Sequence, residues 1–324
     1  MTTAAKTPAL PTTPTTPTIP PAPSAWARFF DGDVWHSFRS SPTAMIAAAV
    51  ALLCMFCALF AGLISPHNPF DLATLELSDS MLPPAWLEGG QSKYLLGTDE
   101  QGRDVLSALF YGARISILIG GASVIVSVLI GVGLGLLAGY AGGAVDTFIM
   151  RVCDVMLSFP SILIALLIAG VGRALFPQAH DSLAFGVLIL AIALPGWVQY
   201  ARTVRGSVMV EKNKDYVAAA QLIGLPAPVI MLRHVLPNAM GPILVIATIN
   251  LALAIITEAT LSFLGAGMPD TMPSLGTLIR IGNNYLFAGE WWIVAFPGRA
   301  LAGLILAINL LGDWLRDALN PKLR

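Results

Sequence analysis

The sequence predicts an all-α, polytopic membrane protein with about six transmembrane helices. Its 324 residues are 56% hydrophobic and only 11% charged, whereas soluble domains carry about 25% charged residues. Several apolar runs reach the roughly 20 residues that a helix needs to cross a bilayer. A water-soluble surface cannot be built from so few charges, so we expect most of the chain to lie in lipid.

Six apolar segments have the length of a membrane span. The third begins with the charged residues Asp146, Arg151 and Asp154, which shorten its apolar part, and the sixth is interrupted by Pro297 and Arg299. The count of six therefore depends on these two segments. The predicted spans are Thr43–Ile64, Ala113–Gly139, Asp146–Ala169, Leu183–Tyr200, Gly241–Leu264 and Trp291–Leu311.

The chain before the first span divides into two parts. Residues 1–24 are almost entirely Thr, Pro and Ala, and such a segment buries too little apolar surface to offset the entropy of ordering it. We expect a disordered cytoplasmic tail there. In residues 25–64, Trp26, Phe29 and Phe30 stand at helical spacing ahead of the first span. They predict a short interfacial helix, and an aromatic anchor at the interface explains them equally well.

The distribution of Lys and Arg orients the chain in the bacterial inner membrane. With the N-terminus inside, 12 of the 18 Lys and Arg residues are cytoplasmic, 5 are outside and Arg299 stays in a span. Cytoplasmic loops carry the excess of positive charge, so both termini are predicted to be cytoplasmic. Residues 65–112 then form a periplasmic lid, 113–312 the main transmembrane domain and 313–324 a cytoplasmic tail.

The chain lacks the motifs of several enzyme and binding classes. It contains no G-x-x-x-x-G-K-[ST] loop, no H-E-x-x-H pair and no G-x-S-x-G elbow. A net charge of −1 gives no basic surface for nucleic acid. Gly131, Gly135, Gly139 and Gly143 form an i, i+4 ladder instead, which lets helix backbones approach closely in lipid.

The largest predicted cytoplasmic connection carries the strongest functional signal. Within residues 211–238, which we call the docking loop, the stretch Val217–Ile223 is helix-compatible and rich in alanine. Gly224 is expected to end that helix. A second short helix follows, before Leu236-Pro237 turns the chain back into the membrane. A short helix with a small-residue face suits docking into a groove on a partner, whereas a solvated linker would not need so many apolar residues.

The docking loop resembles the EAA loop in permease subunits of binding-protein-dependent ABC importers. The resemblance rests on the alanines at 218–220, on Gly224 and on Leu236-Pro237. The loop departs from the general pattern at position 218, where Glu is usual, and at His234, where Ile is common. At both positions the loop resembles the peptide-transport branch of the family.

Four other stretches resemble the same branch, so the resemblance covers nearly everything after Asp33. The chain is similar to the C-type permease subunit of dipeptide and oligopeptide importers. This resemblance implies the MetI-like fold of a type I ABC importer permease. The four stretches are Leu96–Ser107, Tyr200–Gly206, Glu258–Gly265 and Asn309–Pro321.

The resemblance implies a transport subunit that has no ATPase site of its own. A homologous second permease would complete the pathway in the bilayer, and a periplasmic substrate-binding protein would deliver the substrate. Two ATP-binding subunits would hold ATP and Mg, so this chain is expected to bind no cofactor and no metal. The residues that we assign to ATPase docking are Tyr216, Ala219, Ala220, Gly224, Leu225, Arg233, His234, Pro237 and Asn238.

The predicted lid contains a compact polar motif. Thr98 or Asp99 is expected to cap the helix that leads into the second span. Arg103 is expected to pair with Asp99, with Asp104 or with a partner subunit. A folded, capped lid is one interpretation, and contact with substrate or binding protein is the other. The motif residues are Gly97, Thr98, Asp99, Gly102, Arg103 and Asp104.

Two charges inside the predicted spans require a partner or a purpose. Glu258 lies about two turns from the outer end of the fifth span, and Arg299 about two turns below the aromatic pair at 291–292. Their similar depth gives two hypotheses. Either the two side chains pair, or Arg299 faces the pathway and meets a peptide carboxylate.

The sequence leaves both the substrate and the transport mechanism open. Permeases of this type carry di- and oligopeptides, glutathione, murein peptides or nickel chelates, and this sequence does not separate them. An ion-coupled secondary transporter would also be polytopic. It would normally place carboxylates or broken helices at mid-membrane, and it would leave the docking loop without an explanation.

Overall fold

The computed structural model describes residues 33–69, 75–176 and 180–318. The predicted tail at 1–24, the aromatic residues at 26–30 and the end of the predicted C-terminal tail at 319–324 lie outside these ranges. Regular structure in the described ranges is helical, apart from one isolated β-bridge between Thr98 and Asp104. The predicted all-α class is confirmed.

Ten helices of eight or more residues make up the described part of the fold. Shorter helical turns lie at Ala61–Ile64, Leu77–Asp79, Ala227–Val229 and Leu286–Ala288, and a π-helix covers Ile230–Val235. The ten are α1 (Asp33–Ser40), α2 (Pro42–Leu59), α3 (Val105–Ala141), α4 (Gly143–Leu157), α5 (Ser161–Leu175), α6 (His180–Glu211), α7 (Asp215–Leu222), α8 (Leu236–Phe263), α9 (Leu275–Asn283) and α10 (Trp292–Ala318).

Five helices in the described ranges are long and apolar enough to cross a membrane, and α4 with α5 forms either a bent sixth span or a re-entrant loop. The two halves meet at 88° across a short break between Leu157 and Ser161. Pro160 stands directly before α5, and proline cannot donate the N–H that would continue α4. The predicted third span, Asp146–Ala169, is therefore not one continuous helix.

The last span is continuous, contrary to its predicted interruption. α10 runs through Pro297 and Arg299 and ends at Ala318, seven residues beyond the predicted end at Leu311. Proline is tolerated in membrane helices because neighbouring groups satisfy the carbonyl that it leaves free. The region from 313 to 318 is thus helix, whereas the sequence predicted a separate tail there.

The glycine ladder explains the closest helix contact in the bundle, between α3 and α6. A Cβ on Gly131, Gly135 or Gly139 would lie within 2.9 Å of α6 atoms, including the Ala201 carbonyl oxygen at 2.6 Å from the Gly135 position. The predicted close packing is confirmed at these three glycines. It is wrong for Gly143, which has open space around it and begins α4 instead.

Candidate functional site

The first helix of the docking loop is α7, and it ends just before Gly224 as predicted. Gly224 has φ of +80°, a left-handed conformation that glycine adopts at little cost. Its N–H donates to the Gln221 carbonyl at 3.0 Å, and the Leu225 N–H donates to the Ala220 carbonyl at 3.1 Å. This pair of bonds is a Schellman motif, so Gly224 sets the direction in which the chain leaves α7.

The inner face of the docking loop packs tightly on the helix bundle. Val217 and Ala220 of α7 are buried together with Ile230 and Val235 of the π-helix. They share one apolar cluster with residues near the adjacent ends of α3, α6 and α8, namely Leu136, Tyr200, Val204, Val208 and Ile243. The loop is therefore part of the folded bundle, and its position is coupled to the helices above it.

The outer face of the same loop is apolar and uncovered. Leu222 is 88% exposed and Ile223 is 76% exposed, and Leu232 on the π-helix is 60% exposed. Ala219 and Gly224 are also exposed. Exposed apolar patches can mark an interaction surface, which makes this face a candidate for contact with a partner.

A chain of polar contacts holds the two ends of the loop together. The Glu211 carboxylate accepts hydrogen bonds from Lys214 Nζ and Tyr216 Oη, both at 2.6 Å. The Asn238 amide donates to Tyr216 Oη at 3.2 Å and to the His234 carbonyl at 2.8 Å. Burial, and then the bond to Glu211, raise the pKa of Tyr216 above its ordinary value. The tyrosine thus stays a neutral donor at physiological pH.

The residues assigned to docking therefore divide by position. Ala219, Gly224 and Arg233 are exposed, whereas Ala220 is buried and Tyr216 is bonded within its own subunit. Leu225 and His234 are half-buried, and Pro237 and Asn238 lie at the surface where α8 begins. Leu222 and Ile223 were missed, although two adjacent large apolar residues just before Gly224 were a visible signal.

The chain leaves the docking loop without the turn predicted at Leu236-Pro237. The Leu236 N–H donates to the Met231 carbonyl five residues back, which is the bond of a π-helix. Pro237 then stands in the first turn of α8, where its missing N–H costs little. Helical structure is continuous from Ala227 to Phe263, because the wider π turn accommodates the proline ring.

The lid motif is folded inward. Thr98, Asp99, Arg103 and Asp104 are each no more than 2% exposed. Thr98 Oγ1 donates to the Asp79 carbonyl at 2.6 Å, and Arg103 Nε donates to the Asp99 carboxylate at 2.6 Å. A folded, capped lid is the interpretation that this burial favours, because these side chains present no surface to a binding protein or substrate.

The cap of α3 differs from the predicted one. Asp104 precedes the helix, and its carboxylate accepts from the Ser107 N–H at 2.9 Å and from Ser107 Oγ at 2.6 Å. Neither Thr98 nor Asp99 caps it, since the side chains of both residues form hydrogen bonds in the turn that precedes the helix. The helix accordingly begins at Val105, eight residues before the predicted start of the span.

Gly97 and Gly102 of the motif lie buried in the same turn, and Glu100 lies between them. Burial, reinforced by the nearby negative charge of Asp99, raises the pKa of Glu100 above its ordinary value. The lid therefore contains one carboxyl group whose charged form is disfavoured by folding.

Glu258 is buried inside the bundle and bonded to two serines. Its carboxylate accepts from Ser116 Oγ on α3 and from Ser262 Oγ on α8, both at 2.7 Å. Each serine oxygen also accepts a backbone N–H at 3.2 Å, from Leu275 and from Met268 respectively. Glu258 thereby organises the contact of the 268–275 segment with α3 and α8.

The predicted pair between Glu258 and Arg299 does not form. Arg299 is exposed on α10, and within the described ranges no ion pair of 4 Å or less joins it to Glu258. Similar depth would not be sufficient for pairing, because depth does not fix the direction of a side chain around its helix. Glu258 points into the packed interior, and Arg299 stands on the outer surface.

A cavity of about 480 Å³ lies among α3, α6, α8 and the break between α4 and α5. Hydroxyl and amide side chains from all four of these elements line it beside aliphatic ones. Its volume is within the roughly 300–1,000 Å³ typical of small-molecule sites. The sequence did not indicate this cavity, because its lining residues are far apart along the chain.

Comparison with known proteins identifies the family. The family of binding-protein-dependent transport system inner membrane components matches residues 131–324, and the N-terminal TM domain of oligopeptide transport permease C matches residues 24–84. The chain is 42% identical to a di/tripeptide transport system permease protein of Pseudomonas aeruginosa, over 90% of this chain and 92% of that one.

Two further similarities concern a second relative and the fold. The chain is 35% identical to a glutathione transport system permease protein of Pectobacterium atrosepticum, over 90% of this chain and 91% of that one. The permease fold of the MetNI methionine ABC transporter, solved in inward-facing conformations, superposes with a TM-score of 0.52 at 19% identity. It covers 66% of this chain and 96% of the solved one. The chain therefore belongs to the binding-protein-dependent transport system inner membrane components, as an ABC transporter permease of the oligopeptide-permease-C type.

Proposed function

We propose that this chain forms one half of the membrane pathway of an ATP-driven peptide importer, and that its docking loop seats an ATP-binding subunit. The observation that carries the proposal is the uncovered apolar face of the loop, Leu222 and Ile223 beside Gly224. A membrane subunit with no nucleotide-binding motif of its own must receive energy from a partner. An exposed apolar surface on a rigid loop outside the spans is the place to receive it.

The packing under the loop supports a mechanical role. Val217 and Ala220 of α7 lie in one cluster with Val204 and Val208 of α6. A displacement of α7 would therefore be transmitted to α6, which also lines the cavity among the spans. Two arrangements of the loop, each favoured by a different nucleotide state of the partner, would give alternating access.

Di- and tripeptides are the substrates that we propose, supplied by a periplasmic binding protein. The support is the 42% identity to a di/tripeptide permease over most of both chains. The 35% relative named for glutathione keeps that tripeptide as the second candidate. A second, homologous permease would complete the pathway, and both termini would be cytoplasmic, in the orientation that the Lys and Arg distribution favours.

Gly224 offers a test that separates docking from assembly. A Cβ at this position would meet nothing within 4 Å, but φ of +80° strains a β-branched residue. Gly224→Val should therefore redirect the chain after α7 and uncouple ATP hydrolysis from uptake while the complex still assembles. Gly224→Asn is the matched control, because asparagine tolerates the left-handed region.

The assay uses the two permeases, the ATP-binding subunits and the binding protein reconstituted in proteoliposomes. Uptake of radiolabelled dialanine and ATP hydrolysis are measured together, with glutathione as competitor. Gly224→Val should lose most peptide uptake while ATP hydrolysis continues, and Gly224→Asn should keep uptake coupled to hydrolysis. Wild-type uptake in Gly224→Val would show that the docking assignment is wrong.

A further inference from the structure

The cavity among the spans has a chemical character that the family assignment does not specify. It is bounded on one side by the break between α4 and α5, with Leu157 and Ser161 on either side of the break. Non-helical backbone at membrane depth is stable only where protein buries it or where it lines a polar cavity. The break therefore marks this cavity as a place where polar groups enter the membrane region.

Some polar side chains along the cavity hydrogen-bond within the subunit, as Ser127 does to the Ala193 carbonyl at 3.1 Å, and others do not. The Tyr200 hydroxyl is fully buried and has no hydrogen-bond partner in the described ranges. The Asn250 amide neighbours that hydroxyl, but the two make no bond of ordinary geometry. A buried polar group without a partner costs free energy, so a ligand group that reached this hydroxyl would gain a hydrogen bond.

The lining is neutral as well as polar. Asn250 and Thr257 of α8, Gln199 of α6 and Ser127 of α3 contribute amides and hydroxyls. Arg202 is the one charged side chain among the described lining residues, and it is already paired with Asp154. The cavity thus has donors and acceptors for uncharged groups and holds no free charge for a carboxylate or an ammonium group.

We propose that this cavity binds the backbone amides of a peptide in transit, through side-chain amides and hydroxyls, without reading the peptide's side chains or terminal charges. The proposal rests on the proposed peptide transport and names the site and its chemistry. Amide and hydroxyl side chains match the donor and acceptor of each peptide bond. The aliphatic lining between them, including Leu253 and Ile192, accommodates side chains of varied size.

Two threonines on one helix give a matched pair of variants. Thr257 and Thr260 each donate to the carbonyl four residues back, both at 2.8 Å, but only Thr257 lines the cavity. Thr257→Val combined with Asn250→Leu should reduce dialanine uptake about 30-fold, since each of the two hydrogen bonds lost to a neutral group costs on the order of 1 kcal/mol. Thr260→Val combined with wild-type Asn250 should stay within about twofold of wild type.

ATP hydrolysis separates failure of this proposal from failure of the proposed function. Peptide-loaded binding protein should stimulate hydrolysis equally in wild type and in the cavity double variant, because docking and delivery are untouched. Loss of uptake with retained stimulation supports the cavity. Unchanged uptake in the double variant overturns it, while absence of any stimulation in wild type overturns the importer assignment itself.

Photocrosslinking then identifies the occupant directly. Leu253 lines the cavity and is 52% exposed, whereas Ile256, three residues on, is exposed but does not line it. Benzoylphenylalanine at position 253 in the full complex should capture radiolabelled trialanine during turnover, and the same label at 256 should not. Capture of phospholipid alone at 253, with no peptide adduct, would show that the cavity holds lipid and would overturn the proposal.

Discussion

Leu222→Ala removes the most exposed apolar side chain of the docking loop without disturbing the packing beneath it. Because Leu222 is 88% exposed, the folded subunit gains almost nothing from its side chain. A partner that covers it gains about 1.5–3 kcal/mol, the value of fully burying a leucine. Truncation to alanine should forfeit most of that, and a loss of about 2 kcal/mol raises Kd about 30-fold.

The assay measures Kd for the ATP-binding subunits on the permease pair held in nanodiscs, with Tm recorded for each variant. Leu77→Ala is the control, because Leu77 is 76% exposed but lies in the lid at the other end of the bundle. Leu77→Ala should leave Kd unchanged. If Leu222→Ala also left Kd within about twofold of wild type, less than about 0.4 kcal/mol, the outer face of the docking loop would not be the docking surface.

Three further predictions concern the bundle and the lid. Glu258→Leu leaves Ser116 and Ser262 without their acceptor and should lower Tm by several degrees. Glu258→Gln keeps an acceptor oxygen and should lower Tm less. Equal losses of Tm in the two variants would contradict this prediction. Gly135→Val should block complex assembly, because its Cβ would lie 2.6 Å from a carbonyl oxygen; a variant that still assembles would show that α3 and α6 can separate. Glu100→Gln should raise Tm at pH 7.5, because folding raises the pKa of Glu100 and so disfavours its charged form. The gain should shrink as pH falls through that raised pKa and vanish below about 4.3, the unfolded value, and a gain independent of pH would contradict the assignment.

Sequence patterns were sufficient where one local cause determines the structure. Gly224 ends α7 because its conformation is set by residues within one turn of it, and Gly135 packs against α6 because small residues at fixed spacing leave one narrow face. The six apolar segments follow from length alone. These features depend on residues that are close together in the sequence.

The features that sequence analysis missed depend on contacts between distant residues. The eight residues of α7 are apolar around most of the helix, so nothing local tells that Val217 is buried and Leu222 exposed. Capping by Asp104 depends on a turn that Thr98 and Asp99 occupy. One of the two serines that bond Glu258, Ser116, is 142 positions away in the sequence, and the lining of the cavity comes from five helices.

One continuous helical rod, which includes the π-helix at Ile230–Val235, joins the docking loop to the cavity. From Ala227 to Asn250 the chain is helical throughout, a distance of about 35 Å at 1.5 Å per residue. The wide π turn holds one more residue than an α turn would need. If that residue were absorbed into regular α-helix, the part of the rod below it would turn by about 100° relative to the part above. A short push on the loop would then reach Asn250 as a rotation about the helix axis, which changes what the cavity presents without opening a gap between the helices.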